Sequence, residues 1–282
     1  MINSGNGKAL YRIAKLIRQF VVRDLTPTAL PPAAPVPTEL QRRYAGYYEG
    51  TSPRNQWLNG FERLLNVRKL TFATNELSTT TYGLGGERWV PVSERLFRKA
   101  DQSVATLALL PDTDGETTIQ CRWGTLKKVS ALRVWAQLVG IALICLLVLS
   151  SLLFAPIWIL RKLLGKLHNA GPLSVRVMPL VSTVLLMAFD GLLAFGLRGL
   201  ITARSVDDLS TLGVPSLLSV NLMLVSIAFP LAAGASLYLI YRERSATMNR
   251  MAYWHSVLVA LAMVAVAVYY GYWGLLGIRL WA

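Results

Sequence analysis

Asp190 stands inside a run of apolar residues from Val177 to Leu197, and it is the side chain here whose setting most invites chemistry. An ionisable group within such a run is costly unless it is paired or wetted. Two amides share that setting: Asn221 in the run Leu217–Tyr241, and Gln137 near the start of Val134–Leu160. Gln137, Asp190 and Asn221 therefore form a candidate intramembrane polar cluster. Its functional reading is a polar pocket or a proton-linked path. Its structural reading is hydrogen bonding between helices that fixes their packing. One carboxylate and two amides favour packing. Outside the apolar runs, Tyr47-Tyr48-Glu49 and Glu62 offer oxygen ligands or an acid. Isolated carboxylates on strands and turns are usually solvated, so these are expected at the surface.

Other catalytic patterns are missing. A serine hydrolase of the penicillin-recognising type needs Ser-x-x-Lys on a helix, so that the amine can take the hydroxyl proton. The chain has no such run, no Lys-Thr-Gly, no Gly-x-Ser-x-Gly, no Walker loop and no His-Glu-x-x-His. Its histidines, His168 and His255, are far apart, and no Cys/His spacing suits a metal. No cofactor is implied. Cys121 lies in the polar half and Cys145 in the first apolar run, so no disulfide is expected.

The elements that must position these groups divide the chain. Four apolar runs, Val134–Leu160, Val177–Leu197, Leu217–Tyr241 and Met251–Trp273, each supply the ~20 residues a bilayer crossing needs. The composition, 54 % hydrophobic and 16 % charged, fits a half-membrane protein better than a soluble enzyme. The net charge of +14 is spread along the chain, without a basic run interleaved with stacking aromatics, which argues against nucleic acid. The lipid bilayer is the expected partner.

Basic residues near span ends mark the cytoplasmic side. Arg161, Lys162, Lys166 and Arg176 follow the first span, and Arg242, Arg244 and Arg250 follow the third. The second connection carries only Arg198 and Arg204, beside Asp207 and Asp208. This predicts an integral protein of a bacterial inner or plasma membrane, with the polar half and the C-terminus outside the cytoplasm. Lys127, Lys128 and Arg133, just before the first span, weaken that bias.

In the polar half, Leu10, Ile13, Ile17, Phe20 and Val21 recur at helical spacing, with Arg12, Lys15 and Arg18 opposite. Such a helix can lie on a membrane; the expectation here is a surface helix packed on a folded domain. Met1–Gly7 reads as a strand end and turn. Pro27, Pro31, Pro32, Pro35 and Pro37 predict a stiff linker over 26–39. Residues 40–130 read as short strands: Arg43–Glu49, Val67–Ala73, Leu77–Tyr82, Arg88–Val92, Leu96–Lys99, Ser103–Leu110 and Thr117–Trp123. Pro53–Leu65 is more helical or irregular, and Asp114-Gly115 signals a hairpin. The fold class is thus mixed: an N-terminal helix, a small antiparallel β-barrel or sandwich over 40–130, and a four-helix transmembrane bundle over 131–282.

The order of parts, with Tyr44-Ala45-Gly46-Tyr47-Tyr48-Glu49 and Ser52-Pro53-Arg54-Asn55, resembles the C-terminal part of membrane-bound serine hydrolases of the beta-lactamase-related, penicillin-binding-protein-like family. The resemblance implies that residues 1–25 are the last strand and helix of an extracytoplasmic hydrolase domain. It also implies a β-domain and a membrane anchor after them. The family's catalytic serine, lysine and tyrosine motifs would precede Met1, and no position here matches them. The resemblance therefore implies a non-catalytic module that partners a serine hydrolase domain on the same or another chain. A different class of reading is a small membrane carrier or sensor using Asp190 and Asn221, with the β-domain as ligand binder. A third is a tethered, lipocalin-like binding barrel, which requires a hollow apolar interior.

Overall fold

A computed structural model describes residues 7–21, 23–24, 29–51, 58–73, 76–82, 84–111, 116–122, 124–166, 171–198, 212–245 and 248–278. The chain forms two compact units, Leu25–Ile141 and a helical unit of Met1–Asp24 with Ala142–Ala282.

The first unit is a closed antiparallel barrel of eight strands in sequence order: β1 Gly46–Gly50, β2 Arg68–Ala73, β3 Glu76–Thr81, β4 Leu84–Pro91, β5 Leu96–Lys99, β6 Ala105–Leu109, β7 Thr118–Cys121 and β8 Gly124–Val129. The seam is β1 on β8, with Tyr48 opposite Lys128 and Glu49 opposite Lys127. The alternating pattern sends one face of each strand inward. Tyr48, Leu70, Leu77, Trp89, Phe97, Leu107, Leu109, Ile119 and Leu126 fill the interior. The Trp89 indole N–H donates to Thr79 Oγ1 at 3.1 Å, which satisfies the one polar atom of the largest core side chain. This packed interior corrects the lipocalin-like reading: the space a ligand would need holds side chains.

Two predicted elements differ. The strand expected over Arg43–Glu49 begins only at Gly46, because α2 (Thr38–Tyr44) occupies its first part. This helix follows Pro37 and plugs the barrel: Tyr44 is buried in the core, and its hydroxyl donates to the Leu110 carbonyl. Gly46, with φ 139°, makes the turn from plug to strand, a conformation L side chains rarely adopt. The proline segment is extended as expected, yet it is docked and not a free spacer. Ala34 N–H donates to the Pro91 carbonyl at 2.9 Å, Arg98 donates to the Pro31 carbonyl at 3.0 Å, and Val36 enters the barrel core. A short helix, α3 (Asn59–Leu65), lies in the segment read as helical or irregular. The expected strand end at Met1–Gly7 and the hairpin at Asp114-Gly115 fall on residues outside those described, save Gly7, which opens α1.

The helical unit contains α1 (Gly7–Val21), then α4 (Ala131–Leu163), α5 (Ser174–Gly196), α6 (Leu217–Arg242) and α7 (Arg250–Tyr272). α4 begins in the barrel unit and continues into this one. The four long helices match the four predicted runs and are long and apolar enough to cross a membrane, so a bilayer is their fitting environment. α5, α6 and α7 pack on one another. Their contacts use small residues, including Ala232, Ala233, Ser236, Ala260, Ser182 and Thr183, which let backbones approach closely. Ala232, Ala233 and Ser236 thus serve helix contact on α6. α4 leaves most of its length exposed, including Leu143, Leu146, Leu149 and Leu153. It meets α7 where Ser150 Oγ lies 2.8 Å from His255 Nε2 and Phe154 stacks on the His255 ring.

The expectation for α1 is corrected. Every described side chain from Arg12 to Val21 is exposed, including Ile13, Ile17 and Phe20. Its apolar stripe has the right period for a buried face but is not packed on a folded domain here.

Candidate functional site

The three predicted polar residues each find a separate setting. Asp190 on α5 accepts a hydrogen bond from the Tyr270 hydroxyl on α7 at 2.7 Å, and Phe189 and Phe229 flank the Tyr270 ring. Asn221 is exposed on α6 and donates to the Leu217 carbonyl of its own helix at 2.7 Å. Gln137 belongs to the barrel unit. Its amide donates to the Arg63 and Leu64 carbonyls at 3.2 and 3.4 Å and to the Tyr82 hydroxyl at 3.3 Å. Among the described residues no hydrogen bond joins Asp190 to Asn221. Of the three, only Asp190 makes a hydrogen bond between two of the apolar helices; Asn221 bonds within its own helix and Gln137 within the barrel unit.

The most concentrated chemistry lies instead on the outside of the barrel seam. Tyr48 points inward, so its neighbour Glu49 points outward. An outward carboxylate is expected in water, but Glu49 is only 3 % exposed, which corrects the solvated reading. The cause is cover from two helices. Arg63 on α3 places its Nε 3.7 Å from Glu49 Oε2, and Arg133 in the first turn of α4 donates to the same oxygen at 3.1 Å. Val134 beside it is 1 % exposed. Glu49 Oε1 is buried and, among the described residues, has no hydrogen-bond partner.

Around this carboxylate lies a cleft of about 320 Å³, lined also by Lys127, Lys128 and Ser130. Lys127 sits opposite Glu49 in the seam and pairs with the exposed Glu116. Lys128 donates to the Arg43 carbonyl, and burial lowers its pKa below the ordinary lysine value. Beside the cleft, Tyr82 adopts φ 50° in the turn after β3. This posture sends its hydroxyl to the Leu64 carbonyl, where it also accepts from Gln137. Burial, and secondarily the negative charge of Glu49, raise the Tyr82 pKa.

Two nodes thus hold the start of α4 to the barrel: Arg133 on Glu49, and Gln137 on Tyr82 and α3. Arg63 and Arg133 share the Glu49 carboxylate, while Lys127, on the same face, pairs with Glu116 and Lys128, opposite Tyr48, turns to the other face. Among the described residues no group of His, Cys, Asp or Glu is placed to hold a metal ion. Cys121 is buried, its thiol donating to the Gly124 carbonyl at 3.2 Å, Cys145 is exposed, and neither forms a disulfide. His168 lies outside the described residues. Sequence reasoning had noted Glu49 only as an isolated acid, since its partner Arg133 is 84 residues away. No protein-family model, curated protein or solved structure matches the chain.

Proposed function

We propose that this chain is the non-catalytic β-barrel and membrane anchor of an extracytoplasmic, beta-lactamase-related serine hydrolase. The observation that carries the reading is α4. One unbroken helix starts inside the barrel unit, fastened by Arg133 and Gln137, and continues as the first of four apolar helices. The filled barrel core supports a supporting wall over a ligand container. The uncovered apolar stripe of α1 supports a missing partner: Ile13, Ile17 and Phe20 would rest on the hydrolase domain, as the last helix of that domain in the resemblance.

Charge in the connections supports the side. Arg161, Lys162, Lys166 and Arg176 after the first span, and Arg242, Arg244 and Arg250 after the third, put those connections in the cytoplasm and the barrel outside. The associated hydrolase would act on amides or esters; this chain contributes placement.

A serine-reactive phosphonate probe tests the assignment. The purified 282-residue chain is expected to remain unlabelled. Stoichiometric labelling of any serine would overturn it. A second reading, a small membrane carrier or sensor, is favoured by the Asp190–Tyr270 pair alone. It predicts that Asp190→Asn abolishes uptake or signalling at unchanged membrane abundance.

A further inference from the structure

Within the helical unit, α4, α5 and α7 enclose a cavity of about 490 Å³. It lies where α4 ends and where α5 and α7 begin. On α4, Ser151, Phe154, Trp158 and Arg161 follow the alternating three- and four-residue spacing of one helix face, so all four turn to the cavity. Arg176 and Leu180 do the same on α5, and Ala252, His255 and Val259 on α7. Phe154 and Ile157 are each more than half exposed, so one wall opens to the apolar surface that a bilayer covers.

The order of chemistry along the helices is the same. Charge stands at the span end, in Arg161 and Arg176, and apolar side chains such as Ile157, Phe154 and Leu180 follow about one to two turns deeper. The two arginines are near enough for their like charges to act on one another, and among the described residues no acidic side chain lines the cavity. The connection from α4 to α5 contains no Asp or Glu, and that from α6 to α7 contains only Glu243, which pairs with Arg242. Other polar groups of the lining are engaged by neighbours. Asn249 Oδ1 accepts from the Met251 and Ala252 N–H groups, Ser256 donates to the Ala252 carbonyl at 3.0 Å, and His255 meets Ser150. A guanidinium carries several N–H donors in a fork that matches phosphate, so each arginine can hold a phosphate oxygen beside its protein contacts.

We propose that this cavity binds an anionic phospholipid from the leaflet on the side of the α4–α5 and α6–α7 connections. The phosphodiester lies on Arg161 and Arg176, and the first part of one acyl chain runs along Phe154, Ile157 and Leu180. The volume falls within the range of ligand pockets and takes a headgroup with the start of a chain, while the rest of the lipid stays in the bilayer. Basic pockets between spans are a known setting for anionic headgroups. A soluble phosphoester would meet the arginines but leave the apolar wall bare, so the lipid is the occupant that uses both. Binding requires the helices to span a bilayer and does not depend on the hydrolase reading.

Native mass spectrometry of the full chain in a non-ionic detergent tests it, with phosphatidylglycerol and phosphatidylcholine of identical chains offered in equal amounts. Phosphatidylglycerol is expected to form the retained one-to-one adduct at least about 10-fold more than phosphatidylcholine. Equal retention would overturn the proposal. The double variant Arg161→Gln, Arg176→Gln is expected to abolish the preference. The pair Arg242→Gln, Arg244→Gln removes the same charge at the same end of the bundle but lies outside the cavity lining, and it is expected to keep the preference. An unchanged preference in the first pair, or an equal loss in the second, would mean general attraction to basic span ends and would refute a built site. Ala252→Trp fills the cavity without altering charge and is expected to lower the phosphatidylglycerol adduct about 10-fold; full retention counts against the site. Glycerophosphoglycerol in large excess is expected not to displace the lipid. Displacement would assign the cavity to a soluble phosphoester instead. If the first arginine pair does not fold, the lipid competition on the native chain, Ala252→Trp and the soluble competitor decide.

Discussion

The Arg133 guanidinium donates to Glu49 Oε2 at 3.1 Å, and so the first turn of a 33-residue helix is tied to the first strand of the barrel. The two ends are unequal: Glu49 is buried, whereas the Arg133 side chain is about half exposed. Breaking a buried pair costs about 3–5 kcal/mol, and an exposed pair is worth about 0.2–1 kcal/mol. Arg133→Ala is therefore expected to destabilise the barrel by about 3 kcal/mol, because it leaves a buried carboxylate with only the longer Arg63 contact. Glu49→Ala is expected to cost about 1–2 kcal/mol, since the arginines it releases are partly exposed and water can solvate them. Hydrogen exchange of β1 and β8 amides in the two variants measures the difference. Equal protection in both would refute the asymmetry.

In the barrel core, Thr79→Val keeps the shape but removes the acceptor of the Trp89 indole N–H. A buried donor left unsatisfied costs about 1–3 kcal/mol. Denaturant titration of the full chain, followed by exchange at β3 and β4, is expected to register a loss in that range.

Between α5 and α7, the Tyr270 hydroxyl on Asp190 is a packing bond. Intramembrane side-chain bonds average about 0.6 kcal/mol and reach about 1.7 kcal/mol. Tyr270→Phe is expected to lower resistance to detergent-induced unfolding by an amount of that size. Asp190→Asn retains an acceptor, so it is expected to match the parent in stability and in membrane abundance. Complete loss of a transport or signalling phenotype in that variant would favour the carrier reading.

The buried tyrosines make the barrel sensitive to alkali. Burial raises both Tyr48 and Tyr82 above their ordinary value of 10.0, so the unfolded chain releases these protons first. Their contribution is complete below pH ~10 and declines as pH rises above it, because the unfolded state then binds fewer protons. Melting temperature is expected to fall with increasing pH in that range. Tyr48→Phe is expected to flatten the slope, since its hydroxyl donation to the Tyr44 carbonyl at 2.8 Å no longer competes with ionisation.

The membrane half was legible because its signal is local. Length and apolar content alone define α4 to α7 to within a few residues at each end. The strands were legible where glycines and turn residues separated them, as at Leu96–Lys99, which is β5 without change. β8 was missed: only Leu126 among Gly124–Val129 joins the core, and its two lysines blend into the approach to the first span. α2 was read partly as strand because Tyr44 and Tyr48 suit either period. The seam cleft was out of reach for a different reason. Arg63 and Arg133 arrive from separate helices, and only the closure of β1 on β8 brings Lys127 beside Glu49. The polar residues in the spans were recognisable by type, but their partners were set by helix rotation, which composition does not encode.

Because β1 is hydrogen-bonded to β8, the barrel has no free strand edge on which another chain could be added. Any companion must therefore be recognised by side chains and turns, in a code that point substitutions can rewrite one contact at a time. The same closure removes a common template for self-association, a useful trait for a domain held at high local density in two dimensions.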